Sequence, residues 1–243
     1  MIRVFKEGIS AEEAERALLA SPGAPALFKG YAKHWRACGR WTWDFLREAL
    51  GQDELVVGDN IGGTKRGKKV LLAGFIDWIL GGAGPESEPR WYTLQYSPFA
   101  KHPELLEDFA FPEFCRTLLD FRSPADKEWY LKKFGWLFIG PAGTETLPHT
   151  DLFSTHAWLA QIIGRKCVSL HGPAGEKARS AVKRADLEPG DVLLVPAGQV
   201  HSARSLEPSV TLSFNFVNHT NLSAFLDAIA DDPQAWRLRR EEA

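Results

Sequence analysis

Cysteine is scarce in this chain. Cys38, Cys115 and Cys167 stand far apart, odd in number and in no C-x-x-C pair. That argues against a disulfide framework or a cysteine-rich zinc site and for a reducing compartment. No apolar run approaches the roughly 18 residues that a membrane-spanning helix needs, so no membrane partner is expected. An excess of one charge is also missing: 29 basic against 31 acidic residues leave −2 overall, a balance that does not favour a nucleic-acid partner. Met1-Ile2-Arg3-Val4-Phe5-Lys6-Glu7 lacks the apolar stretch of a signal peptide, and a cytoplasmic location is expected. What is plentiful is apolar and aromatic material, 44% and 12% of 243 residues, enough for one sizeable domain.

The chain changes texture near residue 130. Before it, the patterns are mainly helical. Ser10-Ala11-Glu12-Glu13 fits a capping box opening a helix through Ala20. Helices are also expected over Thr42–Leu50, Phe75–Leu80, Pro103–Phe109 and Pro112–Asp120, the last two with proline near the first turn. Gly58–Lys69 reads as a glycine- and lysine-rich loop, and Arg90–Tyr96 as a strand. After it come short apolar or alternating runs with Gly-Pro punctuation: Gly135–Ile139, Leu147–Asp151, Trp158–Ile163, Lys166–Leu170, Asp191–Val195 and Val210–Val217. Such spacing predicts a β-sandwich or barrel. The expectation is therefore a single domain over 1–243. It has a helical surround over 1–130, a β core over 131–218, and helices in 219–243 at Asn221–Ala230 and Pro233–Arg240.

Within the β region, His149-Thr150-Asp151 is followed 52 residues later by His201, after a strand-like run. Two imidazoles and a carboxylate form a set that leaves open positions on iron(II). In an extended segment residues i and i+2 project to one side, so His149 and Asp151 can converge. An H-x-D triplet alone is common by chance, so the neighbourhood matters. Open metal positions suit a bidentate co-substrate whose far carboxylate needs an anchor, and a lysine on a core strand supplies one. Lys166, fifteen residues after Asp151 and followed by Cys-Val-Ser-Leu, sits in such a strand.

Three segments together resemble the Jumonji-C family in its small cupin-like branch. They are Trp136-Leu137-Phe138-Ile139-Gly140-Pro141-Ala142-Gly143-Thr144-Glu145-Thr146-Leu147-Pro148-His149-Thr150-Asp151, Leu159 to Lys166, and Asp191 to His201. The likeness runs from about Arg90 to Asn218 and implies a double-stranded β-helix (jelly-roll, cupin-like) core, an α+β fold that is mostly β. It implies that His149, Asp151 and His201 bind iron(II). It also implies that Thr146 and Lys166 hold the far carboxylate of 2-oxoglutarate, that Tyr92 adds to that anchor, and that Asn215 lies near the co-substrate. The chain departs from the pattern in a slightly longer Asp151–Lys166 connection and in Leu170-His171-Gly172-Pro173, both near the expected substrate entrance.

The implied activity is a 2-oxoglutarate-dependent dioxygenase using O2 to hydroxylate an amino-acid side chain, free or in a peptide or protein. Within the family, N-methyl demethylation and RNA hydroxylation are the alternatives. From another class, a cupin that binds metal as a sensor or small-ligand binder would keep the three ligands and have no need of Thr146 with Lys166. A zinc or manganese cupin isomerase or hydrolase is a third reading. His156 and His171 are candidates for the pocket mouth, and Lys65 to Lys69 for a solvated loop or for one that closes over an acidic substrate. The C-terminal helices either form a homodimer or pack on their own domain.

Overall fold

The computed structural model describes residues 2–10, 12–14, 16, 23–59, 66–82, 90–119, 123–172 and 182–230. Its strands are β1 (Arg3–Phe5), β2 (Ala26–Phe28), β3 (Glu54–Asp59), β4 (Arg66–Leu71), β5 (Tyr92–Thr93), β6 (Gly135–Gly140) and β7 (Glu145–His149). They continue with β8 (His156–Ile163), β9 (Lys166–Leu170), β10 (Lys183–Leu187), β11 (Val192–Val195), β12 (His201–Ser205) and β13 (Ser209–Phe216). The helices whose bounds are described are α1 (Arg36–Arg40), α2 (Trp43–Leu50), α3 (Leu72–Leu80), α4 (Pro124–Phe134) and α5 (Leu222–Ala228).

Six strands form a major sheet in the order β1-β2-β11-β8-β13-β6, and four form a minor sheet in the order β10-β9-β12-β7. From β6 to β13 the chain alternates between the sheets, β9 and β10 being consecutive in the minor one. That winding makes a jelly-roll core, as the cupin-like resemblance implies. Pairing within β6–β13 is antiparallel, whereas β1 joins β2 in parallel.

Side-chain alternation assigns each strand two tasks. On β8, Ala157 and Leu159 face the minor sheet, while Trp158, Ala160 and Ile162 face the helical side. β11 does likewise, sending Leu193 and Val195 inward and Val192 and Leu194 outward. Burial on both faces is why these strands read as unbroken apolar runs. β13 is different: Phe214 and Phe216 pack outward, while Thr211, Ser213 and Asn215 are buried polar groups on the inner side. The outer layer is dense with rings, Phe214 standing 5.0 Å from Phe99, 4.8 Å from Phe111 and 5.5 Å from Trp158 between centroids.

The surround is mixed where mainly helices were expected. β3 and β4 form a hairpin where Gly58–Lys69 reads as a loop, with Lys69 paired to Glu54 across the strands; residues 60–65 lie outside those described. β4 is an edge strand carrying lysine and glycine, a composition that blunts edges and conceals strands from a propensity reading. The strand expected over Arg90–Tyr96 is only Tyr92–Thr93, because Gln95 turns to φ 52°. Tyr96 then sends its hydroxyl to Asp53, 2.7 Å away. Pro103–Asp108 is a 3-10 turn that buries Asp108 against the Arg40 guanidinium and the Trp41 indole N–H. The helix expected over Pro112–Asp120 shrinks to Glu113–Cys115, since the chain then extends and Leu118 N–H donates to Val217 O.

Other expectations hold. Thr42 caps α2 through Phe45 N–H, and Ser10 and Glu13 form the reciprocal capping box. The remainder of the helix expected to run through Ala20 is only partly described, and Pro233–Arg240 lies outside the described residues. No helix among the described residues is long and apolar enough to cross a membrane.

The turn from β8 into β9 depends on one glycine. Gly164 turns β8 into β9 at φ +66°, and a Cβ there would stand 2.1 Å from Pro208 O. Gly164→Ala combines left-handed strain with that clash, so we expect a loss of about 2–3 kcal/mol. Urea denaturation should show it as a lowered midpoint at unchanged slope.

Candidate metal centre

The ligand-bearing strands are neighbours. β7 lies at the edge of the minor sheet, which lets it carry Pro148 without leaving a ladder partner unpaired. β12 lies beside it, with His149 directly opposite His201 and a bulge between His201 and Ala203. The two imidazole centroids are 4.3 Å apart. Past the end of β7 the backbone stays extended at Asp151 (φ −65°, ψ 154°), which returns its carboxylate to the side of His149. Ligand atoms of His149, Asp151 and His201 all lie within 4.8 Å of one another.

Their hydrogen bonds fix which atoms are free. His149 Nδ1 donates to Leu147 O at 2.8 Å, and His201 Nδ1 donates to Gln199 O at 3.0 Å. Each ring thus turns an Nε2 lone pair toward the shared point, the arrangement that outer carbonyls give to metal-binding histidines. Asp151 Oδ2 is shut off from solvent and has no hydrogen-bond partner among the described residues. Burial raises the pKa of Asp151, against the pull of His201, His149 and an Asn215 hydrogen bond; burial also lowers that of His201. A buried carboxylate oxygen without a partner, facing two oriented imidazoles, fits a divalent cation. Neither carbonyl partner was legible in the sequence.

Below the three ligands is a narrow cavity of about 70 Å³. Tyr92, Thr146 and Lys166 line it together with His149, Asp151 and His201. Lys166 is buried, its ammonium 5.4 Å from the Tyr92 ring centroid, 5.8 Å from that of Phe138 and 3.3 Å from the Tyr92 hydroxyl. It has no carboxylate partner among the described residues, and burial pushes its pKa down to about 7. Thr146 Oγ1 accepts from Ala203 N–H at 2.9 Å, so its own proton is available to another acceptor.

Asn215 is absent from the cavity wall. It sits behind Asp151, donating to Thr155 Oγ1 at 2.7 Å, and its Oδ1 is buried without a partner among the described residues. His156 is not at a mouth either: it is buried and bonded to Ala197, Asn218 and Thr220. His171 is half-buried and bonded to Ser202 Oγ. Sequence reasoning missed Trp136, Phe138, Ala157, Leu159 and Ser213 as wall residues. Period-two alternation along β6 is the signal that would have found the first two, because Leu137 and Ile139 point into the outer core.

Comparison with known proteins gives two family matches. A cupin-like domain matches residues 11–176, and a JmjC domain matches 136–223. "Lysine-specific demethylase 8" of Danio rerio is 26% identical over 227 residues, covering 79% of this chain and 53% of its own length. "Jumonji C domain-containing protein 5" of Drosophila melanogaster is 27% identical over 229 residues, covering 79% and 54%. "Arginine-specific demethylase JMJ22" of Arabidopsis thaliana is 25% identical over 237 residues, covering 85% and 44%. The chain thus spans about half the length of these relatives, and 23% of another, "Lysine-specific demethylase JMJ21" of the same plant.

Proposed function

We propose, from the premise that this chain belongs to the cupin-like family and carries its JmjC domain, that it hydroxylates an amino-acid side chain in a peptide or protein. Enzymes of that family use iron(II) and 2-oxoglutarate. We take the whole chain as one functional unit, with the jelly roll as its core and the N-terminal elements as a supporting layer.

The observation that carries the reading is Lys166. A lysine buried without a carboxylate partner costs stability unless something anionic arrives to accept its charge. It shares its cavity with the three-ligand cluster. A metal-binding cupin without co-substrate would have no use for it.

In this reading His149 and His201 supply neutral Nε2 donors, and Asp151 supplies a carboxylate that offsets one unit of the cation's charge. Lys166, the Tyr92 hydroxyl and the Thr146 hydroxyl hold the far carboxylate of the diacid by charge-assisted hydrogen bonds. Tyr92 and Phe138, whose rings are parallel within 8°, keep water from that anchor. With O2, iron(II) and 2-oxoglutarate supply oxidative decarboxylation to succinate and carbon dioxide, coupled to hydroxylation of a C–H bond. The chain's own task is to orient and to exclude. His149 and Thr150 are solvent-exposed, which suits a side chain presented by a larger substrate.

Demethylation is the second reading, favoured by the names of the lysine- and arginine-specific relatives. It uses the same step on an N-methyl carbon, with loss of formaldehyde. The test is succinate formation by anaerobically iron-loaded protein given 2-oxoglutarate, O2 and ascorbate, with peptide pools and their N-methylated forms. Peptide-stimulated succinate with a gain of about 16 Da supports hydroxylation; formaldehyde supports demethylation. Failure of 2-oxoglutarate to bind the metal-loaded protein anaerobically would reject both.

A further inference from the structure

The two halves of the metal cluster arrive on separate segments. His201 follows the Pro196–Gln199 turn after β11, and Asp151 opens the segment between β7 and β8. One buried side chain that belongs to neither is bonded to both supports. His156, the first residue of β8, accepts a hydrogen bond from Ala197 N–H at its Nδ1, 2.9 Å away. That bond fixes the tautomer, so Nε2 carries the proton and donates to Thr220 Oγ1 at 2.9 Å and to Asn218 Oδ1 at 3.2 Å.

The second support continues toward Asp151. Asn218 N–H donates to Asn221 Oδ1 at 2.8 Å, and Asn221 Nδ2 donates to Ser154 O at 2.8 Å. Ser154 and Phe153 are consecutive non-glycine residues in left-handed backbone, at φ 52° and 53°. Such a pair persists only where its surroundings hold it. Those surroundings include Phe134 in edge-on ring contact with Phe153, and Asn215 bonded to Thr155. The slightly lengthened Asp151–Lys166 connection contains this turn.

We infer that His156 is a positioning residue, a latch whose two ring nitrogens set the separation between the His201 turn and the segment bearing Asp151. The inference rests on the metal-site reading above. The imidazole is buried against Phe216, 5.2 Å between centroids, so it has little freedom to trade one partner for the other. Burial also lowers its pKa and keeps Nδ1 an acceptor.

The two ring nitrogens can be tested separately. Asparagine can mimic Nδ1 and keep the Ala197 arm, whereas glutamine can reach like Nε2 and keep the Asn218–Thr220 arm. Leucine removes both. Gln161→Leu is the control: Gln161 is buried on the same strand, but its side chain bonds Ile163 O, Gly164 O and Thr211 at the far end of β8. Anaerobic cobalt(II) titration, followed by visible absorption, reads the cluster without requiring turnover. Thermal melting runs alongside.

Wild-type protein should bind cobalt(II) and His149→Ala should not. His156→Leu should lose about 10–100-fold in cobalt affinity, the range for partners that orient metal ligands. His156→Asn and His156→Gln should fall between, and they carry the test if the leucine variant fails to fold. Gln161→Leu should melt lower yet keep its cobalt affinity. If the His156 variants keep wild-type affinity, or if Gln161→Leu loses as much as they do, His156 serves only stability and the latch is overturned. If His149→Ala binds cobalt like wild type, the metal-site reading fails and the latch falls with it.

Discussion

Asp151→Ala is expected to abolish succinate formation and to weaken metal binding by on the order of 10³-fold or more, since even an outer partner costs about 10–100-fold. The same substitution should stabilise the metal-free protein. Asp151 Oδ2 is closed off from solvent and has no hydrogen-bond partner among the described residues. Retaining it costs about 1–2 kcal/mol in the absence of a cation. A higher melting temperature without metal, together with lost metal binding, is a pairing that a merely structural carboxylate would not produce. Asn215→Ala touches the ligand only from behind, so it should lose far less metal affinity. Calorimetric metal titration and thermal melting of the two variants check both signs. An Asp151→Ala protein that still binds iron(II) tightly would remove the residue from the site.

What was legible in the chain follows a physical rule. His149 and Asp151 were readable because i and i+2 share a side wherever the backbone is extended, and it stays extended at Asp151 after β7 has ended. β8 and β11 were readable because both of their faces are buried. β10 and β12 were hidden. Lys-Arg-Ala-Asp-Leu and His-Ser-Ala-Arg-Ser look like loop, because the outer face of the minor sheet carries Arg184, Asp186, Ser202 and Arg204. β1 and β2 are three residues each and gain their stability from partners remote in sequence, which no local pattern records.

The site divides in the same way. Donor types and spacing pointed to the three metal ligands and Lys166, the Jumonji-C resemblance added Thr146, and the residues so named do line one cavity. Asn215 required the fold, because the inner face of β13 extends past the cavity to the back of Asp151. The carbonyls of Leu147 and Gln199 were out of reach altogether, since every residue has a carbonyl and only tertiary geometry selects two of them. His156 was misread for a related reason. A histidine near a metal motif suggests a pocket, yet its hydrogen-bond partners lie 41 to 64 residues away.

Lys166→Met is expected to raise the dissociation constant for 2-oxoglutarate by about 100-fold or more, because loss of a buried charge-assisted anchor costs about 3 kcal/mol. Metal affinity should change little, since Lys166 has no contact with the three ligands among its hydrogen bonds. The pH dependence separates this anchor from a generic basic residue. With its pKa pushed down to about 7 by burial, the free ammonium is partly deprotonated at neutral pH. The incoming carboxylate favours the protonated form, so binding takes up a proton. Affinity should therefore be highest below pH 7 and fall by up to about tenfold per unit above it; in Lys166→Met that dependence should flatten. Stability of the unliganded protein runs the opposite way. The folded pKa lies below the unfolded value of about 10.4, so the unfolded chain binds more protons between them. This lysine thus makes stability rise with pH from about 7 to 10, and Lys166→Met should remove that rise. Anaerobic titration of the cobalt-loaded protein from pH 6 to 9, in two buffers of different ionisation enthalpy, measures affinity and proton uptake together. A pH-independent wild-type affinity without proton uptake would show that Lys166 does not receive the carboxylate.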